Sequence, residues 1–375
     1  MQDFNSVKSV YVHVPFCKCI CNYCDFCKNF YDSSVVNLYL KTLKKEVVET
    51  YLGDQISTIY VGGGTPSSLS NLELDELFSV IKLFNLSDEY EFTFECNYED
   101  INVNLLKKLK ENKVNRLSIG LQTFNSKFEK VLGRKINKQE MIEKVLLSKK
   151  YFNNINVDLM YALPKENIND VKSDIDDFIN LGVPHISTYA LIVEKHTKLD
   201  ISGVEEIDDD TQLKMYKLIS SALSNQGYSH YEISNFSIPG FESKHNLTYW
   251  NNLSYYGFGA GASGFINNIR YDNTKSVLNY IKGKRRIFEE MLSKTQRMKD
   301  EVMLNLRKTK GVSKNDFYLK YGLHINEAFN YKTLVDEGFL IENESNLYIP
   351  ENHLFISNEI ILQILENCNL NNSEK

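Results

Sequence analysis

One stretch of this 375-residue chain decides its interpretation: Tyr11-Val-His-Val-Pro-Phe-Cys-Lys-Cys-Ile-Cys-Asn-Tyr-Cys-Asp-Phe-Cys27. Five of the seven cysteines of the sequence lie within its last eleven residues, and an ordinary hydrophobic core does not need that many thiols in one short loop. Cys17, Cys21 and Cys24 have the spacing C-x3-C-x2-C, so three thiolates can reach three corners of a cubane iron–sulfur cluster. Because such clusters are normally held by four cysteines, this spacing leaves one iron open to chemistry.

Two other arrangements of these thiols stay open at this point. Cys21, Cys24 and Cys27 also form a compact set, so the spacing alone does not choose the three ligands. Four thiolates close in sequence could instead hold a structural zinc ion. Zinc sites usually pair two C-x2-C elements that lie far apart, and no second pair occurs elsewhere in this chain. The cluster is therefore favoured, with zinc as the alternative.

The composition is typical of a soluble globular protein, with 42% hydrophobic and 25% charged residues. The net charge of −6 argues against a general nucleic-acid binder, which would carry an excess of basic residues. No stretch reaches the roughly 18 apolar residues of a membrane span, and the N-terminus has neither the basic nor the apolar segment of a secretory signal. We therefore expect a cytoplasmic protein, in which a cysteine cluster indicates a metal or redox site rather than disulfides.

Short β-rich runs alternate with segments of helical periodicity through the first 205 residues. Strands that alternate with helices indicate a parallel sheet with right-handed crossovers. Periodicity does not distinguish an open α/β barrel from a doubly wound sheet. The predicted strands are Ser9–Val14, Ser57–Val61, Tyr90–Glu95, Arg116–Gly120, Ile155–Met160 and His185–Leu191. The predicted helices are about Ser34–Tyr51, Asn71–Phe84, Asn102–Glu111, Lys138–Tyr151 and Asn167–Leu181.

The pattern changes after residue 205, and we expect three domains. Residues 1–205 form the strand-and-helix domain with the cysteine loop. Residues 206–290 form a loop-rich extension that begins with a long helix, Asp208–Gln226. Residues 291–375 are predicted to form three short helices and a hairpin, the arrangement of a winged-helix-like α+β domain. Winged helices commonly bind DNA, but the acidic balance of this chain favours a packing role.

Consecutive glycines follow the second predicted strand in Tyr60-Val-Gly-Gly-Gly-Thr-Pro66. They allow the backbone to approach a ligand closely, with N–H groups that point outward. Glu95, Gln122 and Asp158 stand at or near the ends of later strands, and the ends of parallel strands share one rim. Each signal has an ordinary alternative, because tight turns use glycine and carboxylates cap helices.

Together, these motifs resemble those of radical S-adenosylmethionine (SAM) proteins. A finer resemblance, over nearly the whole chain, is to the oxygen-independent coproporphyrinogen III oxidase family, and within it to the HemW-like heme chaperone branch. Only ten residues precede Tyr11, whereas the oxidases carry a longer N-terminal extension, and Phe26 stands where the oxidases have a fourth cysteine. The matching motifs are Tyr11–Cys17, Gly62–Pro66, Arg116–Gln122, Leu132–Arg134 and Val157–Met160.

The resemblance implies a fold and a set of cofactor ligands. The implied fold is a partial (β/α)6 radical SAM barrel of the α/β class, followed by the winged-helix-like domain. Cys17, Cys21 and Cys24 would ligate a [4Fe–4S] cluster, and SAM would occupy the open iron through its amino and carboxylate groups. The positions that match the family's SAM site are Tyr11, Gly63, Gly64, Thr65, Glu95, Gln122, Arg134 and Asp158.

These residue types suit the parts of SAM. Glycine N–H groups can meet its amino acid end, and Asp158 or Gln122 can bond the ribose hydroxyls. Arg134 can pair with a carboxylate through two parallel hydrogen bonds.

A last motif, His245-Asn-Leu-Thr-Tyr-Trp250, resembles the HNxxYW heme-binding motif of the chaperone branch. His245 would be the axial ligand of heme, because neutral imidazole binds heme iron well. A histidine held by hydrogen bonds in a loop is the alternative.

The function that the resemblance implies is a heme chaperone. It would bind heme and transfer it to an acceptor protein, which could be associated with a membrane. The cluster and SAM would gate this transfer. The alternative is an oxygen-independent coproporphyrinogen III oxidase. We expect no nucleic-acid partner and no membrane span, and either a monomer or a dimer.

Overall fold

The computed structural model describes residues 6–369 of the chain. The strands among them are β1 (Ser9–Val14), β2 (Phe16–Cys17), β3 (Asn29–Phe30), β4 (Gln55–Gly63), β5 (Asn85–Asn97), β6 (Arg116–Gln122), β7 (Asn154–Tyr161), β8 (His185–Ala190), β9 (Ser229–Glu232), β10 (Asn235–Ser237), β11 (Tyr256–Phe258), β12 (Ser263–Ile266), β13 (Ile269–Asn273), β14 (Arg286–Met291), β15 (Val312–Ser313), β16 (Ile341–Glu342) and β17 (Asn346–Tyr348). The α-helices are α1 (Ser33–Thr50), α2 (Asn71–Ile81), α3 (Val103–Glu111), α4 (Glu129–Leu132), α5 (Lys138–Lys149), α6 (Ile168–Asn180), α7 (Lys198–Ile201), α8 (Asp209–Asn225), α9 (Lys244–Trp250), α10 (Val277–Ile281), α11 (Lys294–Asn305), α12 (Lys314–Tyr321), α13 (Ile325–Ala328), α14 (Lys332–Asp336) and α15 (Ser357–Glu366).

The main sheet has nine strands among the described residues, in the order β11-β1-β4-β5-β6-β7-β8-β10-β9. Neighbouring strands from β11 to β8 run parallel, whereas β10 pairs antiparallel with both β8 and β9. The six strands predicted from the sequence are β1 and β4 to β8, and they are confirmed in sequential order. The chain therefore has the predicted α/β fold, a partial barrel of six parallel strands, with later strands added at both edges.

The two faces of the central strands differ in polarity. In β6, Leu117, Ile119 and Leu121 belong to the hydrophobic core, whereas Arg116 and Ser118 on the other face line a cavity. Parallel strands that are covered on both faces usually carry apolar side chains on both. The polar inner face therefore marks the interior of the partial barrel as a binding space.

The crossover helices begin at side chains that satisfy their free N–H groups. Asp32 caps α1, and Ser70 with Glu73 forms a reciprocal capping box at the start of α2. Helix α1 then buries one face, which includes Leu40 and Val47, against the sheet core. No helix within residues 6–369 is both long and apolar enough to cross a membrane.

Helix α9 crosses the interior of the partial barrel toward the N-terminal ends of its strands. Ser9 Oγ lies 2.8 Å from Thr248 Oγ1, and Thr58 Oγ1 lies 2.9 Å from His245 Nδ1. Glu91 accepts a hydrogen bond of 3.0 Å from the backbone N–H of His245. Ser9, Thr58 and Glu91 are register partners on three adjacent strands, so the helix contacts these strands at the same height along the barrel. Helix α9 therefore closes the barrel near the N-terminal ends of these strands. The stretch 206–290, expected to be loop-rich, thus supplies this helix and the strands β9 to β14.

The C-terminal part has the predicted winged-helix-like α+β fold. Helices α11 to α14 precede the hairpin of β16 and β17, and β15 completes a three-stranded sheet. A buried ion pair of 2.7 Å joins Lys320 of α12 to Glu301 of α11. The same lysine donates to the backbone carbonyl of Asn251, just after α9. This part of the chain therefore holds the helix that closes the barrel.

Candidate functional site

A cavity of about 480 Å³ opens at the C-terminal ends of the parallel strands. Its walls come from the cysteine loop, the glycine run and the inner faces of β5 to β8. Ten of the twelve site residues predicted from the sequence line it: Cys17, Cys21, Cys24, Gly63, Gly64, Thr65, Glu95, Gln122, Arg134 and Asp158. Tyr11 and His245 do not.

The cysteine loop is fixed at several points to the barrel. The N–H of Asn22 donates to the carbonyl of Leu132 at 2.9 Å, and His13 Nε2 lies 2.8 Å from the carbonyl of Cys27. Thr65 Oγ1 donates to Cys17 Sγ at 3.5 Å. Burial raises the pKa of the Cys17 thiol to about 11, so proton release there depends on a bound cation or metal.

The two additional cysteines of the loop lie in different environments. Cys27 is buried outside the cavity lining, where its thiol donates to the carbonyl of Lys275 at 3.1 Å. A Cβ on Gly261 would lie 2.9 Å from its sulfur, so a distant turn packs closely on this thiol. Cys19 is exposed, lines the cavity and donates to the carbonyl of Gly133 at 3.5 Å. This arrangement favours Cys17, Cys21 and Cys24 over the set that includes Cys27.

Each glycine of the run at the end of β4 leaves room for a specific neighbour. A Cβ on Gly62 would lie 2.6 Å from the carboxyl carbon of Glu95, and one on Gly64 would lie 3.0 Å from the Cys17 sulfur. Gly63 has a φ of +116°, a backbone conformation that side chains rarely adopt. The run therefore allows the carboxylate of β5 and the first cysteine to approach the same backbone segment.

Two inward-facing carboxyl groups are held by neutral donors. Glu95 accepts hydrogen bonds from the Tyr60 hydroxyl at 2.7 Å and from the Gly63 N–H at 2.9 Å. Asp158 accepts one from the Asn156 amide at 2.8 Å. Burial raises the pKa of Glu95 to about 7 and that of Asp158 to about 6. Both carboxyl groups can therefore change protonation state near neutral pH when a charged ligand arrives.

Gln122 and Arg134 border the same opening. Gln122 ends β6 in a left-handed conformation, with a φ of 71°. Arg134 donates to the carbonyl of Gly120 at 3.2 Å, and its guanidinium lies 5.5 Å from the centre of the Tyr98 ring. The arginine is thus placed as a cation at the rim, on the side of the cysteine loop.

Tyr11 and His245 occupy the lower part of the barrel. The Tyr11 hydroxyl bonds His13 Nδ1 at 2.9 Å. His245 is 1% exposed, and its Nε2 lies 2.8 Å from the Tyr249 hydroxyl while its Nδ1 is bonded to Thr58. Burial lowers the pKa of His245 to about 3, so the ring is neutral. Neither ring nitrogen is free for an iron ion in this arrangement.

Several lining residues were not singled out in the sequence. They share an inward position on the strands or on helix α9, and they are Tyr60, Arg116, Ser118, Asn156, Ser187 and Asn246. The signal that could have found those on strands was the alternation of polar and apolar residues within β6 and β7. That period of two places all polar members on one face.

The residues of this cavity fit the two groups that the cysteine spacing and the strand-end residues indicate. The thiols of Cys17, Cys21 and Cys24 are among those that line one space, and Gly64 leaves room beside the first of them. Within residues 6–369 no three His, Cys, Asp or Glu side chains are grouped to hold a single metal ion. Thiolates on separate corners of a cubane lie farther apart than ligands of one ion. The opposite walls offer carboxylates, amides and an arginine for a polar organic cofactor.

The chain matches two family models. Residues 11–178 match the model described as the radical SAM superfamily, and residues 292–355 match the model described as the HemN C-terminal domain. The first match contains the cysteine loop and the strands whose inner face lines the cavity. The second covers the winged-helix-like part.

Curated relatives are similar over nearly their whole length. The chain is 41% identical over 346 residues to the heme chaperone HemW of Lactococcus lactis, covering 88% of this chain and 91% of that protein. It is 37% identical over 371 residues to the heme chaperone HemW of Bacillus subtilis, covering 94% and 98%. Among solved structures, the Escherichia coli coproporphyrinogen III oxidase HemN, described as a radical SAM enzyme, has a TM-score of 0.84 at 18% identity. That match covers 96% of this chain and 90% of the other, and it shows a common fold.

Proposed function

Since this chain belongs to the radical SAM superfamily and, within it, to the family of HemW heme chaperones, we propose that it binds heme and transfers it to an acceptor protein. The observation that carries the proposal is the 41% identity to a heme chaperone over nine-tenths of that protein. We place this function in the cytoplasm, where a loop of free thiols stays reduced. The acceptor is a second protein of unassigned identity.

We propose that Cys17, Cys21 and Cys24 hold a [4Fe–4S] cluster and that the cavity beside them holds SAM. When bound, the cluster would supply a redox centre with one open iron. Cys19 and Cys27 are not needed as ligands in this arrangement. The support is that Cys17, Cys21 and Cys24 line the cavity together, whereas the exposed Cys19 thiol is bonded to the carbonyl of Gly133 and the Cys27 thiol to a carbonyl outside the cavity.

The side chains around the cavity would bind and orient SAM. Glu95, which bonds the Gly63 N–H of the glycine run, would accept a hydrogen bond from the amino group of SAM. Asp158 and Gln122 would bond the ribose hydroxyls, and Arg134 would attract the carboxylate. The ligand would also displace water from the cavity, which strengthens each of these polar contacts.

For heme, we propose that His245 would hold the iron in a conformation that differs from the closed one. The imidazole must first lose its hydrogen bond to Thr58 or to Tyr249, since both ring nitrogens are engaged. Because His245 is buried between helix α9 and β4, the helix would also have to shift away from β4 for heme to reach the ring. The neutral state of the buried ring suits ligation, because only neutral imidazole binds iron.

The first experiment separates the chaperone from the oxidase. Protein reconstituted without oxygen is titrated with heme and, in parallel, incubated with coproporphyrinogen III, SAM and a reductant. We expect saturable heme binding, transfer of that heme to apomyoglobin as a general acceptor, and no decarboxylation. Efficient formation of protoporphyrinogen IX would overturn the chaperone proposal in favour of the oxidase.

The second experiment tests His245. We expect His245→Ala to weaken heme binding while the iron and sulfide content of the cluster stays intact. Tyr249→Phe frees Nε2 and should strengthen heme binding by up to about tenfold, the net value of one hydrogen bond. Tyr255→Phe is the matched control, because its ring packs on Tyr249 at 4.7 Å without touching the histidine. Unchanged heme affinity in His245→Ala would place the ligand elsewhere.

A further inference from the structure

A chain of hydrogen bonds leads from the cavity to the start of helix α9. Asp158, which lines the cavity, accepts from the side-chain amide of Asn156 at 2.8 Å. The oxygen of that amide lies 2.6 Å from His185 Nδ1, and His185 Nε2 lies 2.7 Å from the Tyr231 hydroxyl. The Tyr231 oxygen accepts from the backbone N–H of Ser243 at 3.3 Å. Since Ser243 is the N-cap residue of α9, the chain runs from β7 through β8 and β9 to that helix.

The direction of each hydrogen bond in this chain follows from the charge on its last acceptor. An ionised Asp158 can only accept, so Asn156 turns its NH2 group toward it and its oxygen toward His185. Burial lowers the pKa of His185 well below its usual value, so the ring is neutral and carries one proton. That proton lies on Nδ1, because the amide oxygen can only accept. Nε2 therefore accepts from the Tyr231 hydroxyl, whose oxygen stays available for the N–H of Ser243.

Asn156 is the central link, and its amide has no spare hydrogen-bonding position. Its NH2 group also donates to Ser118 Oγ at 2.9 Å, and its oxygen also accepts from Ser187 Oγ at 3.0 Å. Both N–H groups and both lone pairs of the amide are therefore engaged. Because hydrogen bonds in such a chain polarise one another, a change at Asp158 alters the strength of the bond that Tyr231 accepts.

At its other end, the chain holds the first turn of helix α9. The N–H of Ser243 bonds the Tyr231 oxygen. The next two N–H groups, those of Lys244 and His245, donate to Glu91 at 3.1 and 3.0 Å. A helix that moves away from β4 to release His245 also moves relative to these two acceptors. A well-ordered Tyr231 therefore favours the closed position of the helix.

We propose that His185 and Tyr231 are positioning residues that couple ligand binding at Asp158 to the position of helix α9. The inference deepens the proposed function and rests on it for the two ligands, SAM at Asp158 and heme at His245. A ribose hydroxyl on Asp158 and the positive sulfonium of SAM keep that carboxylate ionised, and SAM excludes water that would compete with Asn156. The chain then holds α9 closed, so SAM and heme weaken each other's binding by the same factor.

The first test measures this coupling in the reconstituted full-length protein, by heme titration with and without saturating SAM. We expect SAM to weaken heme binding by at least about fivefold, the lower end of coupling between two ligand sites. Tyr231→Phe removes the hydroxyl that joins His185 to Ser243, so SAM should no longer change its heme affinity. Tyr228→Phe is the matched control, because its buried hydroxyl bonds the carbonyl of Val183, and it should keep the wild-type ratio.

The second test needs no heme. Amide hydrogen exchange in residues 243–246 is followed in reconstituted protein with and without SAM. SAM should slow this exchange in the wild type and in Tyr228→Phe, but not in Tyr231→Phe or His185→Phe. If the two residues had only a structural role, their variants would exchange faster than the wild type and SAM would still slow them.

Two results would overturn the coupling. One is an equal effect of SAM on heme affinity in the wild type and in Tyr231→Phe. The other is unchanged exchange in the first turn of α9 when calorimetry shows that SAM has bound to the wild type. A protein that binds SAM but no heme would contradict the proposed function, and the exchange experiment would still decide the coupling.

Discussion

Glu95 should give the empty protein and its SAM complex opposite responses to pH. Its carboxyl opens only to the cavity, and burial raises its pKa from 4.5 to about 7. The native state therefore binds this proton more tightly than the unfolded chain does. The stability that protonated Glu95 contributes is fully present below about pH 4.5 and is lost as pH rises through about 7.

The magnitude follows from that shift. One pKa unit corresponds to about 1.4 kcal/mol, so Glu95 alone should lower the free energy of unfolding by up to about 3 kcal/mol between pH 4.5 and pH 8. Water in the cavity reduces this value. Glu95→Gln keeps the shape and removes the charge, and the Tyr60 hydroxyl can turn to accept from the new amide. The difference in stability between variant and wild type should therefore grow as pH rises.

SAM binding should show the reverse trend, because the ionised carboxylate is the better acceptor for the amino group of SAM. For a pKa of about 7, the ionised fraction rises about tenfold from pH 6 to pH 8, and the affinity of the wild type should follow it. Glu95→Gln should bind SAM weakly with a flat profile across that range.

The assay is urea unfolding of the protein without cofactors at pH 5, 6, 7 and 8, paired with SAM calorimetry on reconstituted protein. Asp158→Asn is the matched control. Because burial raises the pKa of Asp158 only to about 6, the change in its stability difference from the wild type should occur at a lower pH than for Glu95→Gln. A stability difference between Glu95→Gln and the wild type that does not change from pH 5 to pH 8 would refute the reasoning.

The remaining predictions concern the loop, the glycine run and the C-terminal part. Cys27→Ser should retain about four irons per chain after reconstitution, whereas Cys21→Ser should lose most of them, as measured by iron and sulfide analysis. Gly64→Ala places a Cβ 2.8 Å from a backbone nitrogen ahead of the cysteine loop, so cluster content should fall while the far-ultraviolet circular dichroism stays native. Glu301→Ala leaves the buried Lys320 without its carboxylate and should lower the free energy of unfolding by about 3–5 kcal/mol, whereas an effect under 1 kcal/mol would contradict a buried ion pair.

The parallel sheet was accessible from the sequence because it depends on local patterns. Alternating strand and helix periods place each strand within a few residues of its position in the structure, as in β1 and β6. Strand β5 is longer than predicted, beginning at Asn85 rather than Tyr90. Its additional residues include a pairing of Asn85 with Gln55 of β4, which depends on a neighbouring strand and not on hydrophobic period.

The edge strands were not predictable in the same way. β9, β10 and β11 have three or four residues each, which is too short for a periodic signal. β11 and β10 are stabilised by pairing with strands of the partial barrel that lie far away in the sequence, and β9 pairs in turn with β10. The sequence therefore indicated loops where the structure has strands.

By itself, the sequence determined the spacing of the thiols, the glycine run and the order of the six parallel strands. All of these depend on residues that are close together in the chain. Only the tertiary structure decided that the Cys27 thiol bonds a carbonyl outside the cavity and that both ring nitrogens of His245 are bonded. The physical reason is that accessibility and hydrogen bonding depend on partners such as Thr58, which lies 187 positions from His245 and meets it only once the sheet has closed.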